Sequence, residues 1–307
     1  ESPDDRFLGD TATRWSSSNR QTFKRDVDSS QGTYQYVLEM DSVGTPARPR
    51  VCKESVQHEG KPVFSFETGE VHLFNDRYED KVQYPFDWHR SALATITERR
   101  DNTKLWGFVS WLRNVQCVSP DPRRMSAVAK SEAFRLDRDL GNFAEWYRHL
   151  KQESDDHAYL DEIRKVLNGL QTLRLEHVGE KRRELRVSMN RKDEEYGFGE
   201  LSDGQRVLIG LYAVLHFLLK PNTTLCLDEP DNFLALKEIR PWLESLLERI
   251  DENDDPAQVL IISHHPEYLD QLAVADGLRF DRCPDGAVRA KPFEDPSNTG
   301  LTASELV

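Results

Sequence analysis

The sequence has no long apolar stretch, and this absence excludes a membrane-spanning helix. A bilayer span requires about 18 or more consecutive apolar residues. The longest candidate, residues 207–219, is interrupted by Gly210 and His216. We therefore expect no membrane partner.

Cysteine is also scarce, which excludes two kinds of small stabilised domain. The four cysteines, at positions 52, 117, 226 and 283, form no CxxC pair. They are too few for a disulfide framework, and their spacing does not suit a zinc site. We expect reduced thiols in a cytoplasmic protein.

Basic residues are outnumbered by acidic ones. The 307 residues include 41 Lys and Arg against 54 Asp and Glu, for a net charge of −13. This excludes a protein that coats nucleic acid with its whole surface. A local basic patch is still compatible with the net charge, because binding depends on how charge is distributed. The length suffices for one large domain or two ordinary ones.

Local patterns predict a three-part chain. Residues 1–75 form the remainder of an N-terminal lobe, in which a polar entry segment over residues 1–32 precedes an antiparallel β meander from Thr33 to about Asn75. Residues 76–190 have a mainly helical pattern and are predicted to form a lid or insert. Residues 191–307 form the C-terminal lobe.

Within the insert, helices are predicted over residues 91–113, after residue 140 and over residues 155–172, with a strand over residues 183–190. The C-terminal lobe alternates helices with short apolar strands. Its elements are predicted as helices over residues 204–219 and 236–250 and strands over residues 224–227 and 258–262. This alternation is typical of an α/β fold with a parallel sheet covered on both faces.

Two adjacent acidic residues, Asp228 and Glu229, follow the first of these strands. Ligands of open α/β sheets bind at the carboxyl ends of the strands. Nucleotide hydrolysis needs one carboxylate to hold Mg²⁺ and another to polarise the attacking water. Asp228 suits the metal role and Glu229 the base role, although a strand ending in an ordinary polar turn would have the same sequence.

Two further segments carry groups suited to phosphate. Ser202 and Asp203 are good N-cap residues and Gly204 permits close backbone approach, so the following helix would present N–H groups to an anion. An ordinary capped helix would begin in the same way. His264, just after the second apolar strand, could donate a hydrogen bond to a terminal phosphate, whereas the side chain of His265 should point the other way.

In this order, the segments resemble ABC-type ATPases of the SMC/RecF/OLD-like "AAA family ATPase" group. Residues 201–205, Leu-Ser-Asp-Gly-Gln, resemble the signature motif, and residues 225–229 resemble Walker B. Residues 230–232 are similar to the D-loop and residues 263–266 to the switch-histidine loop. Residues 139–144, Asp-Leu-Gly-Asn-Phe-Ala, resemble the segment that precedes the lid helices.

The resemblance implies an ABC-type P-loop NTPase head with an antiparallel β subdomain and a helical lid insert. Such heads bind ATP and Mg²⁺ between two copies. Asp228 would bind the metal, and Glu229 and His264 would be catalytic in the same copy. The residues implied in nucleotide binding are Ser202, Asp203, Gly204, Gln205 and Asp231, of which Ser202 and Gly204 would act across the dimer and Asp231 would communicate across it.

A phosphate-binding loop, Gly-x₄-Gly-Lys-Ser/Thr, is missing from the sequence. The only Gly-Lys pair, Gly60-Lys61, is followed by Pro62, and Ser55 stands where the first glycine is needed. The family carries this loop near the N-terminus, and the sequence begins at Glu1 without Met. We expect an upstream segment to contain the loop, with a divergent loop as the alternative.

The resemblance favours an ATP-hydrolysing switch that works as a homodimer or higher homo-oligomer. The expected role is that of the sensor or regulatory ATPase of a prokaryotic antiphage defence system, with a nuclease or toxin effector as partner. One alternative is a DNA repair or recombination ATPase that clamps DNA, with nucleic acid as partner. Another is a nucleotide-binding scaffold with little hydrolysis, against which the intact Asp228 and Glu229 argue.

Overall fold

The computed structural model describes residues 20–43, 48–190, 194–251, 257–284, 286–293 and 301–306. Two compact units make up the chain, Glu1–Asn114 and Val115–Val307. Both combine helices with sheets, so the mixed α/β class is confirmed. No helix in the described ranges is both long enough and apolar enough to cross a membrane.

The first unit contains a six-stranded antiparallel sheet in which each strand pairs with the next along the chain. The strands are β1 (Gln21–Ser29), β2 (Gly32–Val43), β3 (Arg48–His58), β4 (Lys61–Glu67), β5 (Glu70–Phe74) and β6 (Asp80–Pro85). Two tight turns set the register, because Glu59-Gly60 and Thr68-Gly69 all have positive φ, as a type I′ hairpin turn requires.

This sheet is longer than the meander expected from Thr33 to Asn75. Part of the polar segment predicted over residues 1–32 is strand β1, and the rest, residues 1–19, lies outside the described residues. The strand forms there despite its polar sequence because β2 supplies a continuous antiparallel partner from Gly32 to Met40.

Helix α1 (Thr103–Asn114) packs in the core of the same unit and is shorter than the helix predicted over residues 91–113. Its start is set from outside the helix, because the carboxylate of Asp76 accepts hydrogen bonds from the backbone N–H groups of Thr103 and Lys104, at 3.1 and 3.0 Å. Upstream, only a single 3₁₀ turn, Leu93–Thr95, is regular. Asp76 therefore caps a helix that the local pattern extends too far.

The second unit contains nine strands and several helices among its described residues. In chain order the strands are β7 (Val115–Val118), β8 (Val128–Ala129), β9 (Leu170–Val178), β10 (Arg182–Met189), β11 (Glu195–Gly197), β12 (Thr224–Asp228), β13 (Gln258–Ile262), β14 (Leu278–Arg282) and β15 (Val288–Pro292). The helices are α2 (Phe143–Glu153), α3 (His157–Val166), α4 (Asp203–Phe217), α5 (Leu236–Asp251), α6 (Pro266–Tyr268) and α7 (Val274–Asp276), with a π-helical turn over Leu269–Ala273.

Three sheets organise these strands. A parallel sheet has the order β13-β12-β7, an antiparallel sheet has the order β11-β10-β8 with β9 also paired to β10, and β14 and β15 form a hairpin. The parallel sheet is less covered than predicted, since Leu260 and Ile262 of β13 are 41% and 65% exposed. Among the described strands, β13 pairs with β12 alone.

Strand β9 corrects the helical interpretation of the predicted insert. The helix expected over residues 155–172 ends at Val166, and the chain turns at Gly169, whose φ is 93°. This positive φ is strained for any residue with a Cβ, so glycine is favoured there. The following residues then pair along β10, and long-range pairing overrides the helical spacing of the apolar residues.

Helix α4 is the centre of the second unit's core. All residues from Val207 to Leu215 are buried, as expected of a helix that is apolar on every side. A Cβ at Gly210 would lie 2.7 Å from Cδ1 of Leu140, so the loop that precedes α2 packs closely on α4. The first turn of α4 carries Asp203 and Arg206, and its last turn carries His216.

An ion cluster connects three helices of this unit. Glu162 of α3 accepts a hydrogen bond from Nη2 of Arg249 on α5, at 2.7 Å, and is also bonded to His216 of α4. Burial of Glu162 raises its pKa, but the hydrogen bonds from His216 and Arg249 and their charges outweigh this and lower it to about 2. The ionised carboxylate is therefore the form that the fold stabilises.

Replacing Glu162 with Gln is expected to lower the free energy of unfolding at pH 7 by about 1–3 kcal/mol, since two donors lose a charged acceptor. A depressed pKa contributes stability above the unfolded value of 4.5, and this contribution is lost as the pH falls toward 2. The deficit of the variant, measured by urea unfolding, should thus shrink from pH 6 to pH 3.5. Glu153→Gln, at an exposed position of α2, is the control, and an equal deficit at both pH values would refute the linkage.

Candidate functional site

Three loops leave one edge of the parallel sheet. Strands β7, β12 and β13 run in the same direction, with Leu227 aligned with Val118 and Asp228 with Ile262. The residues that follow these strands therefore lie along one carboxyl edge, where ligands bind in open α/β sheets. Ser119, Glu229 and Ser263 are the first of these residues.

Asp228, the last residue of β12, has a side chain that is 36% exposed. Its Oδ2 accepts a hydrogen bond of 2.6 Å from Nη2 of Arg138. Sequence reasoning missed Arg138, although it directly precedes the Asp-Leu-Gly-Asn-Phe-Ala segment at residues 139–144. That proximity to a recognised motif was the available signal.

Glu229 is held by its backbone and by its side chain. Its φ of 46° is unusual for a residue other than glycine, and its N–H donates to the carbonyl of Ile262 at 2.8 Å. Nδ2 of Asn232 donates to Oε2 of Glu229 at 2.6 Å, and Nδ1 of His264 lies 3.8 Å from Oε1. The carboxylate is 45% exposed, so water can reach it.

The two neighbouring histidines have different environments. His264 is 78% exposed and faces Glu229. His265 is engaged in the local fold, because its Nδ1 accepts a hydrogen bond from the N–H of Glu267 at 3.2 Å and so caps α6. Of the two, only His264 is available to a ligand beside Glu229.

The side chain of Asp231 is buried. It is only 6% exposed, and its Oδ1 accepts a hydrogen bond of 2.7 Å from Oγ of Ser263. The same Oγ accepts from the N–H of His265 at 3.0 Å. This bonding ties the loop after β12 to the loop after β13, and sequence reasoning did not identify Ser263 as the link.

The first turn of α4 is built by a capping box. Oγ of Ser202 accepts from the N–H of Gln205 at 3.3 Å, and Oε1 of Gln205 accepts from the N–H of Ser202 at 3.0 Å. Arg206 pairs with Asp203 and donates through Nη1 to the carbonyl of Pro122 at 2.6 Å. The side chains of this turn thus make their polar contacts within the turn and with the loop after β7.

Gly204 brings this turn against the loop that carries the acids. A Cβ at Gly204 would lie 2.7 Å from the carbonyl oxygen of Phe233, so a larger residue would require a backbone shift. Within the described part of the chain, no hydrogen bond or ion pair joins residues 202–205 to Asp228 or Glu229. The structure therefore brings Asp228, Glu229 and His264 together and leaves the signature-like turn beside them without a polar contact.

The carboxyl edge has groups that suit a divalent cation. Mg²⁺ prefers carboxylate and other oxygen ligands, and the Asp228 carboxylate is accessible and already attracts a cationic group. Glu229 supplies a second carboxylate next to it in the chain. A magnesium ion is thus compatible with the residues present.

One family model matches the chain over residues 53–270, and its description is "AAA domain, putative AbiEii toxin, Type IV TA system". No curated protein matches the chain. The matched range includes the signature-like turn together with Asp228, Glu229 and His264. Because it covers more than half of the 307 residues, the chain belongs to this family of AAA-type ATPase domains.

Proposed function

We propose that this chain carries the metal-binding, water-activating and signature elements of an ATP-hydrolysing head that works as a dimer. The observation that carries the proposal is the meeting of Asp228, Glu229 and His264 at one sheet edge, with Glu229 oriented by Asn232. Two carboxylates and a histidine at such an edge suit phosphoryl transfer to water.

The proposed chemistry assigns one task to each side chain. Oε2 of Glu229 is occupied by the amide of Asn232, so Oε1 is the atom that takes the proton of the attacking water. His264 donates a hydrogen bond to the terminal phosphate from the exposed side of the loop after β13. Mg²⁺, when bound at Asp228, would balance the charge of the phosphates.

The signature-like turn is proposed to act on the site of a second copy. Its side chains are satisfied locally and make no polar contact with the acids of their own chain in the described ranges. The first N–H groups of a helix have no intrahelical partner, and they carry a partial positive charge. The α4 turn of one copy would therefore complete the phosphate site of the other through Ser202, Asp203, Gly204 and Gln205.

The finer family assignment is also part of the proposal. An ABC-type head of the SMC/RecF/OLD kind is supported by the order of the motifs, by the antiparallel sheet of the first unit and by helices α2 and α3, which follow the segment at residues 139–144. In this proposal α2 and α3 belong to the lid, and the protein works in the cytoplasm.

The proposed biological role is control of a toxin or nuclease effector in antiphage defence. Support comes from the description of the matching family, which names the AbiEii toxin and a Type IV TA system. In this role the ATPase cycle switches the dimer between two states, and the effector responds to one of them.

Nucleotide-dependent pairing tests the proposal directly. Glu229→Gln should trap ATP, because the base is lost while the shape of the side chain is kept. The mass of the full-length variant, measured by multi-angle light scattering, is expected to double on addition of Mg-ATP, and Ser202→Arg in the same protein should prevent this. Glu244→Gln, an exposed change on α5, is the control. Bound ATP without any increase in mass would refute the dimer.

A further inference from the structure

The ion pair between Arg138 and Asp228 places a cation on the proposed metal ligand. Nη2 of Arg138 lies 2.6 Å from Oδ2 of Asp228, and the two side chains are 64% and 36% exposed. Within the described residues, the Asp228 carboxylate accepts a hydrogen bond from this guanidinium alone. The negative charge that would attract a metal ion is thus already balanced.

The backbone of Arg138 is fixed beside the sheet edge, although its side chain is exposed. Its carbonyl accepts a hydrogen bond of 2.7 Å from the N–H of Ser119, and the next carbonyl, that of Asp139, accepts one of 3.1 Å from Asp121. These bonds attach the segment to the loop after β7. The guanidinium can therefore leave Asp228 by rotation of its own side chain, without movement of the backbone.

A second location for the guanidinium lies next to the first. Arg138 lines a cavity of about 510 Å³ whose walls also carry three carboxylates, those of Asp137, Asp139 and Glu145, against two further cations, Arg124 and Lys130. Asp139 is paired with Arg124 at 2.8 Å, whereas the side chain of Asp137 forms no hydrogen bond or ion pair in the described ranges. A displaced guanidinium would meet negative charge there.

We propose that the Arg138 guanidinium occupies the position of the divalent cation at Asp228 and must move into the adjoining cavity when the metal binds. A Mg²⁺ ion lies about 2.0–2.1 Å from its oxygen ligands, and two cations that share one carboxylate at such distances repel each other. Arg138 is thus a positioning residue that sets the cation concentration at which Asp228 is loaded. The proposal rests on the proposed function, which makes Asp228 the metal ligand.

Iron-directed backbone cleavage measures cation binding at this position alone. Fe²⁺ bound at Asp228, with ascorbate and peroxide, generates radicals that cut the chain close to residue 228, and mass spectrometry separates these cuts from those at other acidic surfaces. The full-length protein is titrated with Fe²⁺ without nucleotide, and Mg²⁺ is added as competitor. The readout is the half-saturating Fe²⁺ concentration, so it does not depend on ATP turnover.

The variants separate direct contact from general charge. Arg138→Gln is expected to lower the half-saturating Fe²⁺ concentration about two- to fivefold, the range expected when an exposed ion pair is removed. Arg138→Lys keeps the charge and should remain close to wild type. Arg240→Gln removes a similarly exposed cation, one that pairs with Glu244 on α5 and does not line the cavity, and should change the value by less than about 1.5-fold.

Asp228→Asn distinguishes the metal assignment of Asp228 from the role proposed for Arg138. Cuts near residue 228 should disappear in this variant, and Arg138→Gln should then have no further effect. If Asp228→Asn is cut like wild type, the metal assignment in the proposed function is wrong. If it loses the cuts while Arg138→Gln behaves like Arg240→Gln, the metal assignment stands and the role of Arg138 is refuted.

Discussion

Glu229→Gln is expected to lower the ATP turnover of the full-length protein by about 10²- to 10⁴-fold, the contribution typical of a positioned general base. The amide keeps the size of the carboxylate but cannot accept the proton of the attacking water. Asn232 holds Oε2 in the wild-type chain, so the neighbouring loop has little reason to rearrange. Steady-state release of phosphate is the measurement.

Two comparisons make this result specific to the site. Glu244→Gln makes the same chemical change on α5, where the side chain is exposed and pairs with Arg240, and should leave turnover unchanged. Turnover by Glu229→Gln at the wild-type rate would show that another group activates the water. In cells, the same variant should lose protection against phage in a plating assay, and retained protection would separate defence from hydrolysis.

Mixing two inactive variants is expected to restore turnover, up to about a quarter of the wild-type value. Ser202→Arg blocks the signature-like turn and leaves Glu229 intact, whereas Glu229→Gln does the reverse. Random pairing would make about half of the dimers mixed, which is an upper limit because Ser202→Arg weakens pairing and Glu229→Gln favours its own dimer. One of the two sites in each mixed dimer then combines an intact Glu229 with an intact Ser202 of the partner. Turnover is measured after the two proteins have been mixed and equilibrated.

The control for this mixture carries both substitutions on one chain. When that double variant is mixed with Ser202→Arg, no dimer contains a complete site, and turnover should stay at the background. Replacing the N-cap serine costs about 1 kcal/mol of helix stability, so thermal unfolding must show that Ser202→Arg is folded. A mixture of the single variants with no gain in turnover would mean that the turn serves its own chain.

The structure also shows where pattern-based prediction is dependable. The mainly apolar stretch over residues 207–219 predicted α4 to within two residues at its end, and strands β12 and β13 were predicted to within one residue, whereas β7 was not predicted. Helix α4 and strands β12 and β13 are specified locally, because a mainly apolar segment is stable only in the core. The capping box at the start of α4 is also a local pattern, of two residues three positions apart.

Prediction failed where a partner distant in the chain decides the outcome. Helix α1 begins at Thr103 because Asp76 caps it from 27 positions away. Strand β9 replaces a predicted helix because β10 is available to pair with it. In both cases the local pattern allowed two structures, and a hydrogen-bond partner elsewhere in the chain selected one of them.

The sequence by itself determined the order of the motifs, the apolar elements that carry them and the acidic pair at the end of a buried strand, since each depends only on neighbouring residues. Tertiary structure alone decided which groups meet at that strand end. Arg138 reaches Asp228 across 90 positions, and the carbonyl of Phe233 leaves room at Gly204 for glycine only. Such contacts depend on how whole elements pack, and no local periodicity records them.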